Sequence, residues 1–288
     1  SDALDFDPRG TTFAYKSLVR RLPTDTERFV FQDWVITYSK SHILKSVCSK
    51  SENGCDKEDL NCCELCNYRH CLELPHLPDM VFHKNVLTCS HTGGAALEFN
   101  PMDALKRVEN GKQALRVACA DEWRETRPEQ HLEEKFKPFD WTFTTDYQGT
   151  FNEKFKIEDT DKKLDIMKLM QREKILFYHD LTLFEDELHD NGIAQCSVKI
   201  RVMPSGFFIL HRFFLRVDNV LLKMNDTRFH YEVENDYILK EYTSREAKVE
   251  ELQNVRHFVL FLAQIIIEII ILFFRPQNLH NITTFTTH

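Results

Sequence analysis

The 288-residue sequence has no G-x-G-x-x-G turn, no Walker loop, no G-x-S-x-G elbow and no kinase or phosphatase metal motif. Those patterns place phosphate-cradling amides, activated serines or catalytic metals, so their absence lowers the prior of nucleotide or ester chemistry without abolishing it. Positive charge is not in excess: 37 Lys and Arg stand against 45 Asp and Glu, for a formal net charge of -8. Bulk electrostatics therefore offers nucleic acid no attraction. The first residues, Ser1 to Asp7, contain neither the basic region nor the apolar run of a secretory signal. The expectation is an intracellular, cytoplasmic chain. We find no internal repeat. Trp and Tyr are few, at 3 and 8, but Phe occurs 23 times, which implies a ring-rich core or interface.

The nine cysteines are unevenly placed. Six crowd between Cys48 and Cys71, whereas Cys89, Cys119 and Cys196 stand alone in apolar surroundings. Such an odd set reads as reduced thiols rather than as the disulfide framework of a secreted domain. Near the C-terminus, Phe258 to Phe274 is a 17-residue apolar run broken by Gln264 and Glu268. A span needs about 17 to 25 apolar residues, and a central carboxylate costs roughly 2.5 to 3.5 kcal/mol. A membrane tail is therefore marginal, and the competing readings are a packed element or an atypical ending.

Patterning along the chain indicates one mixed α+β domain, a largely antiparallel sheet with a packed helical layer. Residues 1 to 27 read as a loose leader, 28 to 254 as the domain, 46 to 73 as a Cys-rich insertion and 255 to 288 as the atypical hydrophobic segment. A strand pair begins near Phe29, and short strands follow at Val86 to Ser90 and Ala95 to Phe99. Asn100, Pro101 and Asp103 have the residue types of N-cap, N1 and N3, so a helix starts there. The alternating segment from Pro138 to Thr150 indicates two faces, one aromatic. A long helix is expected from Asp161 to His189, with Leu164, Phe177, Leu181, Phe184 and Leu188 on one stripe and Asn191-Gly192 as its stop. Strands follow from Val198. A two-residue turn is expected at Asp218-Asn219, and a turn or its border at Met224 to Arg228. Thr243-Ser244-Arg245-Glu246 fits a capping box opening a last helix.

Three clusters could carry chemistry. Cys63-x2-Cys66 has the spacing of half a zinc site that Cys71 or His76 could close, against the plainer reading of an unliganded loop with no cofactor. Glu185 and His189, or Asp186 and Asp190, would stand four apart on the expected helix and could share a metal, as in a metal-dependent hydrolase. A solvated acidic face is the simpler account. Met224 and Asp226 would project from the expected turn as a partner-binding loop does, although an Asx turn accounts equally for Asp226.

The segments HLPDMVF (76 to 82), LEFNPMDALKRV (97 to 108), VACADEWRETR (117 to 127), KPFDWTFTTDYQGT (137 to 150), LFEDELHDNGIAQCSVKIRVMPSGFFIL (183 to 210), RFFLRVDNVLLKMNDTRFHYE (212 to 232) and LKEYTSRE (239 to 246) carry a resemblance. In this order, across most of Phe29 to Glu246, they are similar to the TIPRL family of TOR-pathway regulators that bind type 2A protein phosphatases. The resemblance implies a non-enzymatic α+β protein, monomeric alone, that binds catalytic subunits of type 2A, type 4 and type 6 phosphatases and inhibits or modulates them. It places Asp103, Leu164, Met224 and Asp226 at the partner surface; nucleic acid is not expected as a partner, and a membrane partner is left open only by the C-terminal apolar run. Exposed there, Met224 and Asp226 would be replaceable without unfolding the chain. The cysteine insertion and the C-terminal apolar run depart from the family pattern.

Overall fold

The computed structural model describes residues 25–50, 54–56, 61–72, 74–108 and 142–249. Two antiparallel sheets dominate them. The first is built from β1 (Asp25–Phe31), β2 (Trp34–Lys40), β4 (Val86–His91), β5 (Ala96–Phe99) and β6 (Thr150–Phe151), paired in that order. The second contains β3 (Met80–Val81), β7 (Phe177–Asp186), β8 (Gly192–Met203), β9 (Gly206–Val217), β10 (Leu221–Glu232) and β11 (Ile238–Lys248), in the order β11-β10-β9-β8-β7-β3. The α-helices among the described residues are short: α1 (Glu64–Cys71), α2 (Pro101–Lys106) and α3 (Ile166–Leu169).

The sheets face one another across a layer of rings. Period-2 alternation turns Trp34, Ile36 and Tyr38 of β2 inward. From the other sheet, Phe207 and Tyr231 meet Trp34 edge-on at 5.5 and 5.6 Å, Phe177 stacks on Phe29 at 5.0 Å, and Phe229 meets Phe99 at 5.7 Å. Each fully buried Phe contributes roughly 1.5–3 kcal/mol, so sheet-on-sheet packing organises the core. The expected antiparallel sheet is therefore present, whereas the expected helical layer is a second sheet with short helices at its margins.

Four local expectations are corrected. The long helix from Asp161 to His189 is instead α3, the strand β7 and a one-turn 3-10 segment at Leu188–Asp190. Its stripe has two causes: Phe177 and Leu181 are two strand periods apart with His179 between them on the same face, and a β-bulge between Thr182 and Phe184 brings Phe184 to that face three residues after Leu181, so the apolar residues imitate helical spacing. Met224 to Arg228 is not a turn but the middle of β10. The two-residue turn at Asp218-Asn219 is a three-residue one, with Val217 paired to Leu221 and Asn219 left-handed at φ 61°. Thr243 to Glu246 lies within β11, where Ser244 donates to Asn225 Oδ1 at 2.7 Å rather than capping a helix. The cap at Asn100 is present, its side chain accepting from the Asp103 amide at 2.8 Å. The leader before Asp25, Cys119, residues 138–141 of the alternating segment and the run from Phe258 to Phe274 lie outside the described residues. Among the described residues no helix is long and apolar enough to cross a membrane.

A titratable group sits inside the ring layer. His211 of β9 stacks on Phe99, lies 3.2 Å from Cys196 Sγ through Nε2, and its buried Nδ1 has no hydrogen-bond partner. Burial lowers its pKa to about 4, against a weaker opposing pull from Asp226. The unfolded chain takes up this proton below its ordinary value of about 6.5, and the folded chain only below about 4. The neutral ring thus contributes stability that is complete above pH 6.5 and lost as the pH falls towards 4. His211→Phe should remove about 2 kcal/mol of the stability lost between pH 7 and pH 5, read as urea unfolding free energies at both values. An unchanged loss in the variant would contradict the assignment.

Candidate functional site

The face of the second sheet turned away from the rings carries an ordered set of polar and apolar rows. Register places Gln195, Phe214, Met224 and Arg245 in one row across β8 to β11, then Ser197, Arg212, Asp226 and Thr243, then Lys199, Leu210, Arg228 and Glu241. Asp226 lies between two arginines. Its Oδ1 accepts from Arg212 Nε at 2.7 Å, and its Oδ2 accepts from Arg212 Nη2 at 2.8 Å and from Arg228 Nη2 at 3.1 Å. Arg228 also donates to Thr243 Oγ1 at 3.0 Å and lies 3.8 Å from Glu241. The Asp226 side chain is 0% exposed and that of Arg228 3%, while Arg212 keeps 17%. Burial pulls the Arg228 guanidinium below its ordinary value, and Asp226 and Glu241 oppose the shift. A carboxylate so placed is held by bidentate, charge-assisted bonds of fixed geometry.

Leu164 lies on the same face. It packs with Leu169, Met203, Phe208 and Leu210, and Arg201 donates to the Leu169 carbonyl at 2.8 Å, fastening this segment to the sheet. The structure thus brings Leu164, Met224 and Asp226 to one sheet face. All three are buried, so the expectation of an exposed Met224 and Asp226 on a projecting loop is corrected. The polar residues of this face, Asp226 and Arg228, do not mark a turn: each meets a polar partner on a neighbouring strand.

Asp103 is placed apart from them, at the third position of α2. Its Oδ2 accepts from Asn100 Nδ2 at 2.9 Å and from Thr150 Oγ1 at 2.7 Å, and the side chain is 31% exposed. A polar path nevertheless joins the two regions. Between Met224 and Asp226, Asn225 points to the opposite side of β10 and donates to the Thr145 carbonyl at 3.1 Å, and Thr145 Oγ1 donates to the Ala104 carbonyl of α2 at 2.8 Å. Arg212, Arg228, Asn225 and Thr145 were not singled out from the sequence. The hairpin register could have found the two arginines; nothing local marks Thr145.

The acidic constellation does not form a metal site. Glu185 accepts from Gln195 Nε2 at 2.6 Å, and Asp186 accepts from the amides of Asp79 and Leu188 at 3.1 and 2.8 Å. His189 and Asp190 sit in left-handed backbone beyond the strand, so the four-residue helical spacing that would pair them is absent. The cysteine expectation is half corrected. Cys63 and Cys66 do lie in a cluster, but their companions are Cys48 and Cys55. Cys71 is exposed and donates to Asn67, while His76 lies against Phe143.

The burial of Asp226 sets the cost of losing it. Asp226→Ala should lower unfolding stability by about 3–5 kcal/mol, because it takes the shared carboxylate from two arginines. Met224→Ala should cost about 2–5 kcal/mol through the space it leaves. Urea unfolding of both variants checks this, and losses under about 1 kcal/mol would contradict the buried placement.

Comparison with known proteins agrees with the resemblance read from the sequence. Residues 80–253 match the TIP41-like family. The chain is 48% identical over 231 residues to the TIP41-like protein of Homo sapiens, covering 79% of each chain. It is 34% identical over 247 residues to the type 2A phosphatase activator TIP41 of Saccharomyces cerevisiae, covering 79% of this chain and 65% of the relative. A third relative, the type 2A phosphatase activator tip41 of Schizosaccharomyces pombe, is 30% identical over 227 residues, with 78% and 83% covered. With a family match that covers the whole second sheet and β4 to β6 of the first, and relatives aligned over most of its length, the chain belongs to the TIP41-like family.

Proposed function

We propose that this chain binds the catalytic subunit of a type 2A-family serine/threonine phosphatase and regulates it stoichiometrically, with no bond-making centre of its own. The observation that carries this reading is its similarity to two relatives named type 2A phosphatase activators, at 34% and 30% identity. Type 4 and type 6 catalytic subunits, a TOR-linked role, a cytoplasmic pool and a monomeric free state complete the proposal. Inhibition and activation are both open to such a contact, since a docked protein can cover the substrate surface or change the metal-bearing site. The hydrolase alternative is not favoured, because the hydrogen bonds of Glu185 and Asp186 stay within their own sheet and its loops.

The burial of each residue divides the partner-binding roles. Asp103 has the exposure to meet a basic or amide group directly. Asp226 and Met224 act from within the sheet: Asp226 fixes the partly exposed Arg212, and Met224 supports the row ending at Arg245. Leu164 anchors the segment laid across that face.

Calorimetric titration of the full chain into purified type 2A catalytic subunit tests the proposal. We expect one-to-one binding with a dissociation constant below about 1 μM. Asp103→Arg should weaken binding at least about tenfold while costing the fold about 1–3 kcal/mol. No heat of binding with the type 2A subunit would overturn the function. Binding unchanged in Asp103→Arg would overturn the contact assignment alone.

A further inference from the structure

We propose that Cys48, Cys55, Cys63 and Cys66 hold one zinc ion as a tetrahedral four-thiolate site. Their four sulfurs lie within 4.8 Å of one another, although the residues span nineteen positions of an insertion with little regular structure. Cys48 Sγ is 3.7 Å from Cys55 Sγ and 3.6 Å from Cys63 Sγ. A tetrahedron with Zn–S bonds of about 2.3 Å puts its sulfurs about 3.8 Å apart, close to these values. A disulfide, at about 2.05 Å, would need a much shorter separation.

The backbone around the cluster favours thiolates. Each sulfur accepts a main-chain N–H: Cys48 from Lys50 at 3.4 Å, Cys55 from Cys63 at 3.4 Å, Cys66 from Cys55 at 3.2 Å, and Cys63 from Cys66. Amides directed at sulfur stabilise the charged form. Gly54, left-handed at φ 87°, turns the chain so that Cys55 enters the cluster. Cys63 precedes α1 and Cys66 lies in its first turn, the arrangement in which a Cys-x2-Cys pair directs two sulfurs to one point. Binding is a ligand exchange without redox change: a zinc ion replaces four thiol protons, which pass to solvent, and leaves a complex of net charge -2.

The ion would connect the insertion to the main fold. Tyr68 and Leu72, just beyond the cluster, belong to the principal core, and Leu65, Arg69 and Leu72 line a cavity of about 540 Å³ closed on another side by Leu74 and Pro78. Fixing Cys66 therefore fixes the helix that forms this wall. Cys62 and Cys71 lie outside the cluster and serve as internal controls.

Elemental analysis of the full chain purified under reducing conditions tests the site. About one zinc per chain is expected in the wild type and in Cys62→Ser and Cys71→Ser, and less than about a tenth of that in Cys48→Ser/Cys63→Ser. Chelator-stripped wild-type chain is the control for folding: it should keep its β-sheet circular dichroism and bind Co²⁺ one-to-one, with the near-ultraviolet and visible bands of a tetrahedral thiolate complex. The proposal is overturned by purified chain without zinc or with iron in its place, by zinc that survives loss of Cys48 and Cys63 or leaves with Cys62 or Cys71, or by folded, stripped chain that takes up no cobalt.

Discussion

A carboxylate with no exposed surface, held between two guanidinium groups, is the constraint on which the second sheet is arranged. Burying Asp226 and Arg228 costs several kcal/mol per ion, and only close geometry with full hydrogen bonding recovers it. The bonds at 2.7, 2.8 and 3.1 Å supply that geometry, and they form only if β9 and β10 pair in one register. A slip of one residue would turn Asp226 to the ring face, where no cation waits.

The fixed register then positions everything around it. Asn225 must face the other way, and there it bonds Thr145, which in turn bonds Ala104 of α2. Asp103 stands one residue before Ala104 on that helix. The helix start and the ionic row are thus joined by two hydrogen bonds and the chain neighbours at either end, through a buried strand, though they occupy opposite sides of it. For the docking role proposed above, a rigid, pre-organised frame lowers the ordering cost of the contact.

Much of this was legible in the sequence, and the failures have specific physical causes. The Asn100-Pro101 helix start was readable because capping is local. The strands from Val198 to Val217 were readable because alternation is local too, whereas β10 and β11 were read only in part. β7 was misread because its strand period and its bulge together place apolar residues at helical intervals. The row of Asp226 was missed because Met224 to Arg228 reads as a turn; the expected two-residue turn at Asp218-Asn219 would also have set Asp226 opposite His211, whereas the actual three-residue turn sets it opposite Arg212. Polar residues in Asn225 to Arg228 and in Thr243 to Glu246 resemble turn and cap signals. Their partners, Arg212, Thr145 and each other, lie far away in sequence. The cysteine cluster was half legible, since Cys63-x2-Cys66 announces itself but Cys48 and Cys55 are recruited by the fold of the loop.

The measurement that tests the central claim most directly is a double-mutant unfolding cycle on Arg212→Met and Asp226→Leu. If the pair is one buried unit, the double variant should be more stable than the sum of the two single losses implies, by at least about 2 kcal/mol. Additivity within about 0.5 kcal/mol would mean that the two side chains contribute independently, and the account of the sheet face would fail.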